Sequence, residues 1–165
     1  MRPTTHRLST LDKLIKKFPN GKYWNHEKDM PNNPDGWTES PCNHDLNGTK
    51  YCNEFLNAWQ CLGFALKCGY DATGTNPRDW PEYTNPDSLY DLKAGDILTY
   101  RNESGGSHTV YVTRVFTGLF FNYGDCNGDG PNYQCIIRWN KTKNFEVAQY
   151  NFINLRSAPE KLENF

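Results

Sequence analysis

Long apolar runs are missing from this chain. Nowhere in its 165 residues does a stretch approach the roughly 20 apolar residues that cross a bilayer, so a helical membrane anchor is not expected. The segment Met1 to Asn20 is polar and charged, without the continuous apolar stretch of a secretory leader. Excess charge of either sign is absent too. Against 18 Lys and Arg stand 19 Asp and Glu, for a net charge of -1. Nucleic-acid and polybasic membrane surfaces need a clustered positive excess, so neither is expected as a partner. There is no internal repeat and no low-complexity tract, which sets aside repeat architectures.

What is present is ample material for a core. The chain has the length of one ordinary domain, residues 1–165, and it carries 5 Trp, 10 Tyr and 9 Phe. Six cysteines bear on compartment. Cys42 and Cys52 bound one turn-rich segment, and Cys126 and Cys135 bound another. Two short loops closed in this way read as local disulfides, each constraining the unfolded chain by roughly 2–3 kcal/mol. That reading implies an extracellular setting, with any leader absent from this chain; six reduced thiols in a cytosolic protein are the alternative. Cys61 and Cys68 remain. On a helix, positions seven apart lie about 10 Å along the axis, beyond disulfide reach. Cys68 is therefore expected in the core.

Ser9-Thr10-Leu11-Asp12 resembles a capping box and opens a helix from Thr10 to Lys17, with Leu11, Leu14, Ile15 and Phe18 on one side. A second helix is expected from about Ala58 to Tyr70, burying Trp59, Leu62, Ala65, Leu66 and Cys68. Residues 20–57 and 71–88 hold little periodicity. The period then changes to two, and strands are expected at Asp96–Arg101, His108–Phe116, Leu119–Tyr123, Gln134–Trp139 and Phe145–Phe152. Helices first and an antiparallel meander afterwards make an α+β domain.

The chemistry centres on two residues 47 positions apart, Cys61 and His108. Cys61 falls in the first turn of the second helix, where unpaired N–H groups and the macrodipole favour a thiolate. The same N–H groups can receive an oxyanion, with Gln60 as a side-chain helper and Trp59 beside it against substrate. His108 follows the glycine-bearing run Ser104-Gly105-Gly106-Ser107 and opens a strand, which projects its ring at a sheet end. An orienting acceptor for that ring is expected from Asp125 or Asn127, two apart and so on one face of an extended strand, with Cys126 on the other. Asn122 has the opposite parity and is the weaker candidate.

Two metal readings compete. Cys42-x-His44 with Cys52 has zinc-ligand chemistry but lacks a fourth ligand. Asp125-Cys126-Asn127-Gly128-Asp129-Gly130 matches the opening of an EF-hand loop, yet its twelfth position is Ile136 and its flanks read as strands. That loop leaves a non-catalytic or calcium-binding module as the alternative function. Calcium and His108 would compete for Asp125.

In order along the chain, Gln60-Cys61, Leu92-Lys93-Ala94-Gly95-Asp96, Ser107-His108-Thr109-Val110 and Asp125-Cys126-Asn127 resemble the CHAP family. These are cysteine, histidine-dependent amidohydrolase/peptidase domains of the papain-like superfamily. The resemblance covers roughly residues 59–139. It implies a papain-like fold, N-terminal helices packed on a five- to six-stranded antiparallel sheet. It also implies Cys61 as nucleophile, His108 as base, Asp125 as the orienting group and Asn127 close by. The family usually has Glu where this chain has Asp125, and Cys126 with its apparent partner Cys135 is not a general family feature. By resemblance, the substrate is bacterial peptidoglycan, cut at the sugar–peptide junction or within the peptide. No metal or cofactor is implied, and a monomer is expected. Trp24, Trp37, Trp80 and Trp139 are candidates for a substrate groove, with core packing the default for each.

Overall fold

The computed structural model describes residues 8–25, 32–41, 53–128 and 135–162. Helix α1 spans Thr10–Lys17, and the Ser9 side chain accepts from the Asp12 N–H at its start. The expected inner side is met: Leu11, Leu14 and Phe18 are buried and Ile15 packs against them. A two-stranded hairpin, β1 (Glu54–Phe55) and β2 (Ala58–Trp59), leads directly into helix α2, Gln60–Thr73. Gly74, in the left-handed conformation, ends α2 with its N–H on the Tyr70 carbonyl. Two 3₁₀ turns, Pro77–Asp79 and Pro86–Asp91, flank the short strand β3 (Glu82–Tyr83).

The main sheet adds β4 (Ile97–Arg101), β5 (Ser107–Phe116), β6 (Phe120–Asp125), β7 (Arg138–Asn144) and β8 (Phe152–Arg156). Its six strands lie in the order β3-β8-β4-β5-β6-β7, every neighbouring pair antiparallel. The molecule is thus mixed α+β on an antiparallel sheet. It is not a plain meander, because β8 returns to lie between β3 and β4.

Apolar residues fill both faces of the sheet. On one, Ile97, Tyr111 and Trp139 pack with Phe64 and Leu66 of α2 and with Leu14 and Phe18 of α1. On the other, Leu98, Val110, Val112, Phe121 and Leu155 pack with Leu89 and Phe145. Burial on both sides explains why Val110-Tyr111-Val112 is a continuous apolar run instead of an alternation. The Leu92-Lys93-Ala94-Gly95-Asp96 element is the hinge into β4. Gly95 takes φ +101°, and the fully buried Asp96 carboxylate accepts from the Lys93 N–H, the Lys93 ammonium and the Ala158 N–H.

The expected strands fail in two places. Residues 145–152 do not form a strand: Phe145–Tyr150 is helix α3, followed by β8. Asn144 caps the helix by accepting from the Val147 N–H, and Phe145 and Ala148, three apart, are its buried side. The strand expected at Gln134–Trp139 starts at Arg138 and runs to Asn144; Ile136 makes only an isolated bridge to Tyr23. Cys135 takes φ +58°, which interrupts extended backbone before the ladder can begin.

The tryptophans resolve mostly to the core. Trp24, Trp80 and Trp139 are buried, whereas Trp37 is exposed. Trp59 is also exposed, at 37%, because it ends β2 as the α2 N-cap instead of lying on the helix's inner side. Cys68 is fully buried as expected. The Cys126–Cys135 disulfide is not formed: both are buried thiols in hydrogen-bonding contact, and burial pushes the Cys126 thiol well up. Cys42, His44 and Cys52 lie outside the described residues, so the other disulfide and the zinc reading do too. No helix among the described residues is long and apolar enough to cross a membrane.

Candidate active site

The hairpin β1–β2 delivers the chain to α2 with two left-handed residues at its tip, Leu56 and Asn57. A third follows where the helix starts, Gln60 at φ +54°. A residue with a Cβ in that region is strained, and such strain persists only where surrounding contacts over-determine it. Here the contacts are close. Gly63 lies so near the β2 backbone that an added Cβ would sit 2.5 Å from the Ala58 carbonyl oxygen. The Gln60 Oε1 atom also accepts from Asn127 Nδ2 at 2.9 Å, and Asn127 is itself left-handed at φ +55°.

This sharp corner leaves Cys61 half-buried as the second residue of α2. Trp59 offers the helix start no side-chain cap, and no acidic side chain lies in the first turn. The unpaired N–H groups there are open to an anion.

His108 reaches Cys61 from β5. Only 4% of it is exposed, its Nε2 lies 2.8 Å from Asp125 Oδ2, and its ring is in hydrogen-bonding contact with the Cys61 sulfur. With Nε2 engaged, Nδ1 is the ring nitrogen left for the thiol. Tyr100, the register partner of His108 on β4, sets its ring edge-on to the imidazole at 5.8 Å. Burial works against a charge on His108, but hydrogen bonds and opposite charges at Asp125 and Cys61 outweigh it and lift its pKa to about 9. The geometry is that of a thiol against an imidazole that is backed by a carboxylate.

Asp125 is 1% exposed and nevertheless ionised. Burial pushes its pKa up, and the hydrogen bonds from His108 and Arg138 more than reverse that, leaving it below the ordinary value. Arg138 grips both oxygens: Nε donates to Oδ1 at 2.9 Å and Nη2 to Oδ2 at 2.6 Å. With His108 and Arg138 on the carboxylate, a calcium ion would have to displace a guanidinium to claim Asp125.

The structure therefore brings together Cys61, His108 and Asp125 in one contact chain, with Gln60 and Asn127 forming a bridge beside it. Asp125 and Asn127 face the site while Cys126 packs into the core, as expected, but not through extended backbone: β6 ends at Asp125, and Asn127 is left-handed. Trp59 stands exposed two positions before Cys61 in the chain. Asn122 is elsewhere, accepting from the Thr142 hydroxyl on the sheet surface. His6, His26, Asp129 and Gly130 lie outside the described residues. Sequence reasoning missed Arg138. Its signal was weak but real: it is the cation on the strand returning beside Asp125, and the two are register partners across β6 and β7. No protein-family model and no curated protein matches this chain.

Proposed function

We propose that this protein is a cysteine-dependent amide hydrolase of papain-like, CHAP-type fold that cleaves bacterial peptidoglycan outside the cytoplasm. The observation that carries the reading is the buried chain of contacts from the Cys61 sulfur through His108 to Asp125, seated at the start of a helix. A thiol, an imidazole and a carboxylate in that order supply nucleophile, acid/base and orienting anion.

The Cys61 thiolate attacks the amide carbonyl, forming a carbon–sulfur bond as the carbonyl electrons move onto oxygen. The oxyanion is received by N–H groups of the first turn of α2 and by Gln60 Nε2, which the Asn127 contact leaves available to donate. His108 then gives its proton to the leaving nitrogen, and the thioester remains. Neutral His108 takes a proton from water, hydroxide adds to the thioester, and the thiolate departs. Throughout, Asp125 holds the ring and stabilises its charged form. Trp59 presents an exposed aromatic face beside the nucleophile, suited to a sugar ring or peptide side chain.

The test is mass analysis of fragments released from purified peptidoglycan by the wild type, Cys61→Ser and His108→Ala proteins. Soluble fragments with a new amine terminus are expected from the wild type alone. Their absence, or equal release by the Cys61→Ser protein, would overturn the proposal.

A further inference from the structure

We propose that Arg138 is a positioning residue that acts through Asp125 to set the pH range over which His108 holds its second proton beside Cys61. The inference rests on reading Cys61 and His108 as the reactive pair. Its basis is a shared atom. Asp125 Oδ2 accepts from His108 Nε2 at 2.8 Å and from Arg138 Nη2 at 2.6 Å, so two donors compete for one oxygen. The second Arg138 bond, from Nε to Oδ1, fixes the carboxylate plane and thereby the direction in which Oδ2 meets the imidazole.

The surroundings are built for that guanidinium. A Cβ at Gly128 would stand 1.7 Å from Arg138 Nη2 and 2.3 Å from its central carbon, so any larger residue there would push the guanidinium from its place. Asp125 and Arg138 are directly opposed in the β6–β7 ladder, which delivers the fork without a long reach.

The groups facing His108 come from four elements: Cys61 from α2, Tyr100 from β4, Asp125 from β6, and Arg138 from β7 behind Asp125. Lys143, also on β7, lies over the Tyr100 ring at 4.3 Å. Arg138 is the cation among them that shares an acceptor atom with the imidazole. With it in place, the buried carboxylate is divided between two positive partners. Without it, an undivided carboxylate faces His108 and favours the imidazolium more strongly. A guanidinium that merely braced the strand would leave that balance alone.

The experiment follows the His108 ring by NMR titration, together with the pH dependence of Cys61 alkylation by iodoacetamide. It compares wild type, Arg138→Met, Arg138→Lys and Gly128→Ala, each first shown to be folded. In Arg138→Met the His108 midpoint should rise by about one pH unit. Gly128→Ala, which keeps the arginine but denies it its seat, should move the midpoint in the same direction. Arg138→Lys restores the charge without the fork, so the midpoint should return toward wild type while turnover stays at least tenfold down. A midpoint unchanged in both Arg138→Met and Gly128→Ala would overturn the proposal, whatever happened to turnover. Because the titration needs no substrate, a protein that cleaved no peptidoglycan would still report whether the guanidinium governs His108.

Discussion

The buried imidazolium links folding to pH with a definite sign. In the unfolded chain His108 titrates near its ordinary value of 6.5, and in the fold near 9. A raised folded pKa means the fold binds the proton more tightly. The resulting stability is fully present below pH 6.5 and is lost as pH climbs through 9. At about 1.4 kcal/mol per pH unit, that interval is worth about 3 kcal/mol. His108 is only 4% exposed, so little of it is lost to solvent screening. Urea denaturation at half-unit steps from pH 6 to 9.5 measures it directly. The comparison is made in a Cys61→Ser background, so that no thiol titrates beside the ring. Cys61→Ser should lose stability across the range, by no more than about 3 kcal/mol because one of the two partners that hold the ring charged is gone, whereas Cys61→Ser/His108→Gln, lacking the titrating ring, should decline far less. Parallel declines in the two proteins would refute the reasoning.

Four further outcomes follow from particular contacts. Iodoacetamide at pH 6–7 should label Cys61 in the native protein and spare Cys68, Cys126 and Cys135, which are fully buried, as peptide mapping after a timed quench would show. Asn127→Ala removes the donor that holds the Gln60 amide and should lower kcat about tenfold or more with little change in KM, measured on a soluble peptidoglycan fragment. Gly124→Ala would place a Cβ 2.2 Å from the Trp139 ring; the expected cost is about 3 kcal/mol by urea denaturation. Lys67→Met breaks the ion pairs of a nearly buried ammonium with Asp35 and Asp71. Lys17 still reaches both carboxylates, so the expected loss is about 2 kcal/mol, smaller than for a fully buried pair.

Much of the site was legible because it depends on local rules. A thiol at a helix start and a histidine at a strand start declare their positions through capping and glycine-bearing turns. Strand parity predicted Asp125 and Asn127 on one face and Cys126 on the other; the faces agree, although the strand ends at Asp125 and a left-handed Asn127 turns its side chain to Gln60. Arg138 escaped because its importance is a matter of register, and register follows from where a turn ends. The sequence suggested Cys126 and Cys135 as the closing pair of that turn, whereas the left-handed Cys135 delays the ladder to Arg138. The α3 segment was misread for a similar reason. Phe145 and Val147 are spaced as on a strand, but Val147 is exposed, and the Asn144 cap with Ala148 on the inner side decides for helix. The place of β8 could not be read locally at all, because its partners β3 and β4 lie far back along the chain.

That returning strand has a consequence for how the protein comes off the ribosome. β4 can pair with β5 as soon as the two have emerged, but its other edge stays bare until Phe152–Arg156 arrives. Through the whole interval of synthesis between Arg101 and Phe152, a nascent chain therefore offers an unpaired edge, with Leu98 lacking the cover of Leu155. Holding chaperones would be of most use in that window.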